Sequence, residues 1–155
     1  MVLLWIQARA LPDDAPAARM YRAEADIAAL ARAVDAYYQQ HGVYPPAGEA
    51  GLRLAIETIS GRAPYFAGGP PPDPWGRPYR YVPHTQYGDP NSGALESLDG
   101  YFAPTGYQIY SDGADGAPGL ERPEGQHDNI CNWDAAKSWR PLYREMTEQY
   151  LADRR

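Results

Sequence analysis

From Pro16 to Gln40 the apolar residues Met20, Ala23, Ile27, Leu30, Val34 and Tyr37 return at alternating steps of three and four. That is the period of one side of an α-helix, and Arg22, Glu24, Arg32 and Gln39 fall elsewhere on it. The helix is about six turns, roughly 35 Å. Asp14 before Ala15-Pro16 supplies a start, since proline is tolerated in a first turn, and Gly42 after His41 supplies a left-handed stop. With 155 residues, 44% of them hydrophobic, the chain can bury one real core and hardly two.

Several classes of function are disfavoured by composition. The 14 basic residues against 20 acidic ones give a formal charge of −6, and the single lysine and scattered arginines form no cluster, which argues against nucleic acid as a partner. Cys131 is the only cysteine, so neither an intrachain disulfide nor a Cys-based zinc site can form from this chain alone. No run approaches the roughly 18 apolar residues of a membrane span, and Met1 to Ile6 is too short for the apolar part of a secretory signal.

After Val43-Tyr44-Pro45-Pro46, the spacing of Leu52, Ala55, Ile56 and Ile59 predicts a second helix over Glu49 to Ser60. Residues 61–72 hold four prolines and three glycines and read as an irregular connection. Tyr79 to Val82 and Tyr107 to Tyr110 read as strands, with a weaker one near Tyr101 to Ala103. Pro83 to Gly106 reads as an excursion with little regular structure of its own. A last helix is expected beyond Trp133, with Trp139, Tyr143, Met146 and Tyr150 on one face and Pro141 in its first turn or kinking it.

Two stretches carry the chemistry. In YQIYSDGADGAPG, Tyr107 to Gly119, closed by DNICNW, Asp128 to Trp133, the hard oxygen donors Asp112, Asp115, Asp128 and Asn129 stand around glycines that let the backbone turn tightly. Calcium takes about six to eight such oxygens; Glu121 and Glu124 could add charge, and the spacing is not that of an EF-hand. Asp-Gly pairs are also common turn formers that bind nothing. The second stretch, DPWGRPYRY at Asp73 to Tyr81, reads as a packing corner entering a strand, or as an aromatic platform for a sugar or a protein if Trp75 is exposed. His41, His84, His127 and Ser111 match no nucleophile-elbow, phosphate-loop or HExxH pattern. His127 beside Asp128 could take zinc or manganese, although one imidazole among carboxylates favours a harder ion.

The order of ADIAALARAVDAYYQQHGVYPP, a GL-containing second helix, DPWGRPYRY, YQIYSDGADGAPG and DNICNW resembles the major pseudopilin of the type II secretion system, general secretion pathway protein G. The resemblance implies an α+β, type IV pilin-like fold, with a long N-terminal helix packed on a small antiparallel sheet and a calcium-stabilised C-terminal loop. It implies calcium ligands at Asp115, Asp128 and Asn129, with the carbonyl of Asp112 as a further one. It also implies a non-enzymatic subunit that stacks with other pseudopilin subunits into a fibre on the periplasmic side of the inner membrane and serves protein secretion.

On this reading residues 1–15 are an N-terminal tail, a candidate remnant of a truncated membrane helix, 16–133 the pilin-like domain, and 134–155 a helical extension. Met1 to Pro12 has neither the Phe-Thr-Leu-Ile-Glu type of start nor a membrane span. Membrane contact is therefore expected only through an N-terminal segment absent from this chain: a longer gene product, a trimmed ectodomain, or a pilin-like protein with another role. Asn129 stands where the family carries an acid, which predicts weaker calcium binding. The alternative expectation is a soluble pilin-like module that recognises a protein or glycan through its tyrosines and Trp75 or Trp139.

Overall fold

The structure, a computed structural model, describes residues 10–59, 66–118 and 128–155. The expected first helix is α1, Pro16–His41. Its start, however, is not capped as the sequence suggests. Ala15 is the cap residue and offers no side-chain acceptor; the Ala17 N–H donates instead to Thr147 Oγ1 at 2.8 Å, 130 residues away, so a tertiary contact satisfies an amide that a helix start otherwise leaves open. Gly42 ends the helix with φ +71° and donates its N–H to the Tyr38 carbonyl.

The stripe of Met20, Ala23, Ile27, Leu30 and Val34 is buried. Asp26 is buried beside it, accepting a 2.8 Å bond from Tyr79 Oη. Helix α2, Glu49–Ile59, buries Leu52, Ala55 and Ile56 and packs on α1 and on strand β1, Arg80–Pro83. Ser60 of the expected helix lies outside the described residues.

Strand β1 pairs antiparallel with β4, Tyr107–Ser111, with Tyr81 opposite Ile109. β4 in turn pairs with β5, Ile130–Cys131, so the sheet order is β1-β4-β5. Every residue of β4 is buried, as a central strand covered on both faces requires. Between β1 and β4 the chain is more ordered than its composition suggests. It forms a 3-10 turn at His84–Gln86 and a two-stranded ladder of β2, Glu96–Ser97, and β3, Gly100–Tyr101. The fully buried Gln108 of β4 organises it: Oε1 accepts the Leu95 N–H at 2.7 Å, and Nε2 donates to the Leu95 and Phe102 carbonyls, each at 2.8 Å. A buried amide that meets its partners on both ends pins the excursion to the sheet.

Helix α3, Arg140–Ala152, follows, with a proline in its first turn, and packs along α1. Trp139 and Tyr143 are fully buried in the common core. At the α1–α3 seam Glu24 receives the Trp139 indole N–H at 2.8 Å, a two-pronged contact from Arg140 at 3.0 and 2.8 Å, and Lys137 at 3.4 Å. Burial pushes the Glu24 carboxyl up, but the bonds from Arg140 and Trp139 and the Lys137 charge outweigh it and hold the group below its ordinary value of 4.5. A depressed carboxyl contributes stability that is present above 4.5 and is lost as pH falls through its lower folded value. Glu24→Gln should therefore lower the urea midpoint at about pH 7, and the gap from the parent should close at about pH 3. A gap that persists in acid would show that the carboxylate charge is not what the seam uses. Among the described residues no helix is long and apolar enough to cross a membrane.

Candidate functional site

The two informative stretches meet at the end of β4. The Asp73 carboxylate, 3% exposed, closes its own turn by accepting the Trp75 N–H at 3.0 Å and the Arg77 N–H at 2.8 Å on Oδ1. Gly76 allows that turn with φ +86°, and its N–H reaches the Asp73 carbonyl at 2.9 Å. Oδ2 takes the Ser111 hydroxyl at 2.6 Å, and Ser111 Oγ accepts the Gly113 N–H at 3.1 Å. The corner thus clamps the first residues of the acidic loop. This hydroxyl belongs to Asp73, and His84 Nδ1 meets the Gly106 carbonyl at 3.0 Å, so the described residues do not join these two groups into a nucleophile and base.

Asp112 is buried, with Oδ2 3.4 Å from both Arg80 Nε and Nη2. Burial pushes its carboxyl up and the Arg80 charge pulls the other way. Its Oδ1 is enclosed and accepts no hydrogen bond. Gly113, at φ +69°, lies so close to Asp128 that a Cβ would overlap the Asp128 carbonyl, which is why glycine stands there. Asp115 is exposed; its Oδ1 accepts the Ala117 N–H, and its own N–H donates to Asp128 Oδ2, each at 2.8 Å. Asp128 and Asn129 are buried.

Tyr143 of α3 ties the arms together, accepting the Ala114 N–H at 3.1 Å and donating to the Asp128 carbonyl at 2.8 Å. Burial, then the Asp128, Asp115 and Asp73 charges, push its phenol well above the ordinary range.

The structure thus gathers the loop that carries Asp112 and Asp115 against the segment that carries Asp128 and Asn129. Yet among the described residues no group of three or more Asp, Glu, His or Cys side chains is arranged to hold a metal ion. Glu121, Glu124 and His127 lie outside the described residues. In kind, the donors fit a hard cation: carboxylate and amide oxygens, one of them a buried oxygen of Asp112 with no hydrogen bond. Sequence reasoning missed the roles of Tyr143, Ser111 and Arg77 here, since nothing in local spacing links a C-terminal helix to a turn some 30 residues before it. Trp139 is buried at 1% exposure and Trp75 is half-buried, its ring centroid 5.8 Å from that of Tyr143. Neither stands as an open aromatic platform.

A long N-terminal helix laid on a small antiparallel sheet, with a glycine-aspartate loop leaving its central strand, is the architecture of a type IV pilin-like subunit. The model of the family "Type II secretion system (T2SS), protein G" matches residues 11–93, more than half of the chain, and the chain belongs to that family, that of the major pseudopilin. It is a family of structural, non-catalytic subunits in protein secretion, associated with the cell envelope. A search among curated proteins finds no match. The matched residues span α1, α2 and β1; the loop and α3 lie beyond them.

Proposed function

We propose that this chain is a structural, non-enzymatic pseudopilin subunit that assembles with other pseudopilin subunits into a fibre on the periplasmic side of the inner membrane, and that calcium orders its loop through Asp112, Asp115, Asp128 and Asn129. Membership of the family carries the first part. The second is supported by the packing of Gly113 on Asp128, which brings both arms of an all-oxygen donor set side by side. The ion would be structural: it would neutralise carboxylates that otherwise repel one another, and no bond would be made or broken.

Ligand at about a hundred times its dissociation constant adds roughly 2.7 kcal/mol to stability. Excess calcium should then raise the melting temperature over that in chelator by about 5 °C or more, and Asp115→Ala should abolish the rise. Identical melts with calcium and with chelator would remove the metal from this account. Assembly is tested separately, by co-purification of the tagged chain with other pseudopilins from solubilised envelopes.

A further inference from the structure

The guanidinium of Arg77 lies on the acidic loop. Its Nη2 donates to the Gly113 carbonyl, and Nη1 and Cζ would be 2.8 and 3.1 Å from a Cβ at Gly116, which sits at φ +73°. A side chain at Gly116 would push the guanidinium aside, and the positive φ there also favours glycine. Its Nε is enclosed and makes no hydrogen bond, and among the described residues no carboxylate lies within ion-pair distance of it. Charge pairing therefore does not bring Arg77 in. The corner does: the Arg77 N–H is held on Asp73 Oδ1 at 2.8 Å, and its carbonyl accepts the Asp73 N–H at 2.6 Å. A rigid turn thus delivers a permanent positive charge onto a backbone carbonyl of the acidic loop, beside Asp112.

We infer that Arg77 is a resident cation of this loop, which holds residues 112–116 through the Gly113 carbonyl and opposes, by its like charge, a divalent ion at the neighbouring Asp112 oxygens. This rests on the calcium reading above and deepens it, because it sets the affinity. A divalent ion beside Asp112 meets a nearby charge of like sign, so its binding is weakened unless the guanidinium swings out.

The test uses the full chain, with calcium chloride titrated calorimetrically and amide exchange followed in chelator. In Arg77→Met the Asp115 and Ala117 amides should exchange faster in chelator, and calcium should bind at least about tenfold more tightly than in the parent. Arg77→Lys keeps the charge on a flexible stem, and calcium should bind it about as weakly as the parent. Equal calcium affinity in the parent and Arg77→Met overturns the inference and leaves the calcium reading standing. So does an equal gain in the Met and Lys variants, which would make bulk and not charge the obstacle. No binding to any of the three up to about 10 mM, well above the usual range of extracellular modules, overturns both.

Discussion

Tyr143→Ala should cost about 4 kcal/mol of unfolding free energy, and Tyr143→Phe about 2. Tyr143 is fully buried, so alanine removes an aromatic ring from the seam of α3, Trp75 and the loop and leaves a cavity. Phenylalanine keeps the ring and removes only the oxygen. Two backbone groups then lose their partner, the Ala114 N–H and the Asp128 carbonyl. An unmatched buried polar group costs about 1–3 kcal/mol, and the loss stays at about 2 because Ala114 is only partly buried. Urea unfolding of both variants measures the two steps, and amide exchange at Ala114 locates the second. Should phenylalanine prove as stable as tyrosine, the hydroxyl is not the strut between the two arms.

Asp73→Ala should cost a comparable amount, about 4 kcal/mol, by a different route. One carboxylate accepts the Trp75 and Arg77 amides and the Ser111 hydroxyl, and bonds to a charged acceptor contribute about 1.5–3 kcal/mol each before losses are shared. Its removal releases the corner, leaves the Ser111 hydroxyl to find another acceptor, and frees Arg77 from its position over Gly113. Asp73→Asn keeps Oδ1 for the two amides and turns an amide donor toward a hydroxyl that can rotate to accept it, so about 2 kcal/mol is expected. For a domain whose whole stability is about 5–15 kcal/mol, the alanine variant should be largely unfolded at elevated temperature. A midpoint within error of the parent for Asp73→Ala would mean that the corner holds its shape through Pro74, Gly76 and Pro78 alone.

The two sites are neighbours, since Trp75 packs on Tyr143 and the Asp73 charge bears on the Tyr143 phenol. Their effects should therefore not add, and the coupling in the double variant reports how far corner, loop and α3 behave as one unit. The seam at Glu24 meets α3 at Trp139 and Arg140, one turn before Tyr143, so some coupling is expected there as well.

What the sequence by itself determined is local. The three-and-four spacing from Met20 to Val34 fixed α1 and its buried face, Leu52, Ala55 and Ile56 fixed α2, and the glycines at 42, 76, 113 and 116 marked positions of positive φ. Ordered blocks from Ala25 to Trp133 were enough to point to the family. Tertiary structure alone decided that Thr147 would cap α1, that Gln108 would order the segment before it, that Glu24 would anchor α3, and that Tyr143 and Arg77 would close the acidic loop. The physical reason is that periodicity and turn chemistry act over a few residues. A hydrogen bond between residues up to 130 apart leaves no trace in spacing; it forms only when packing has brought both groups out of water, where each must find a partner.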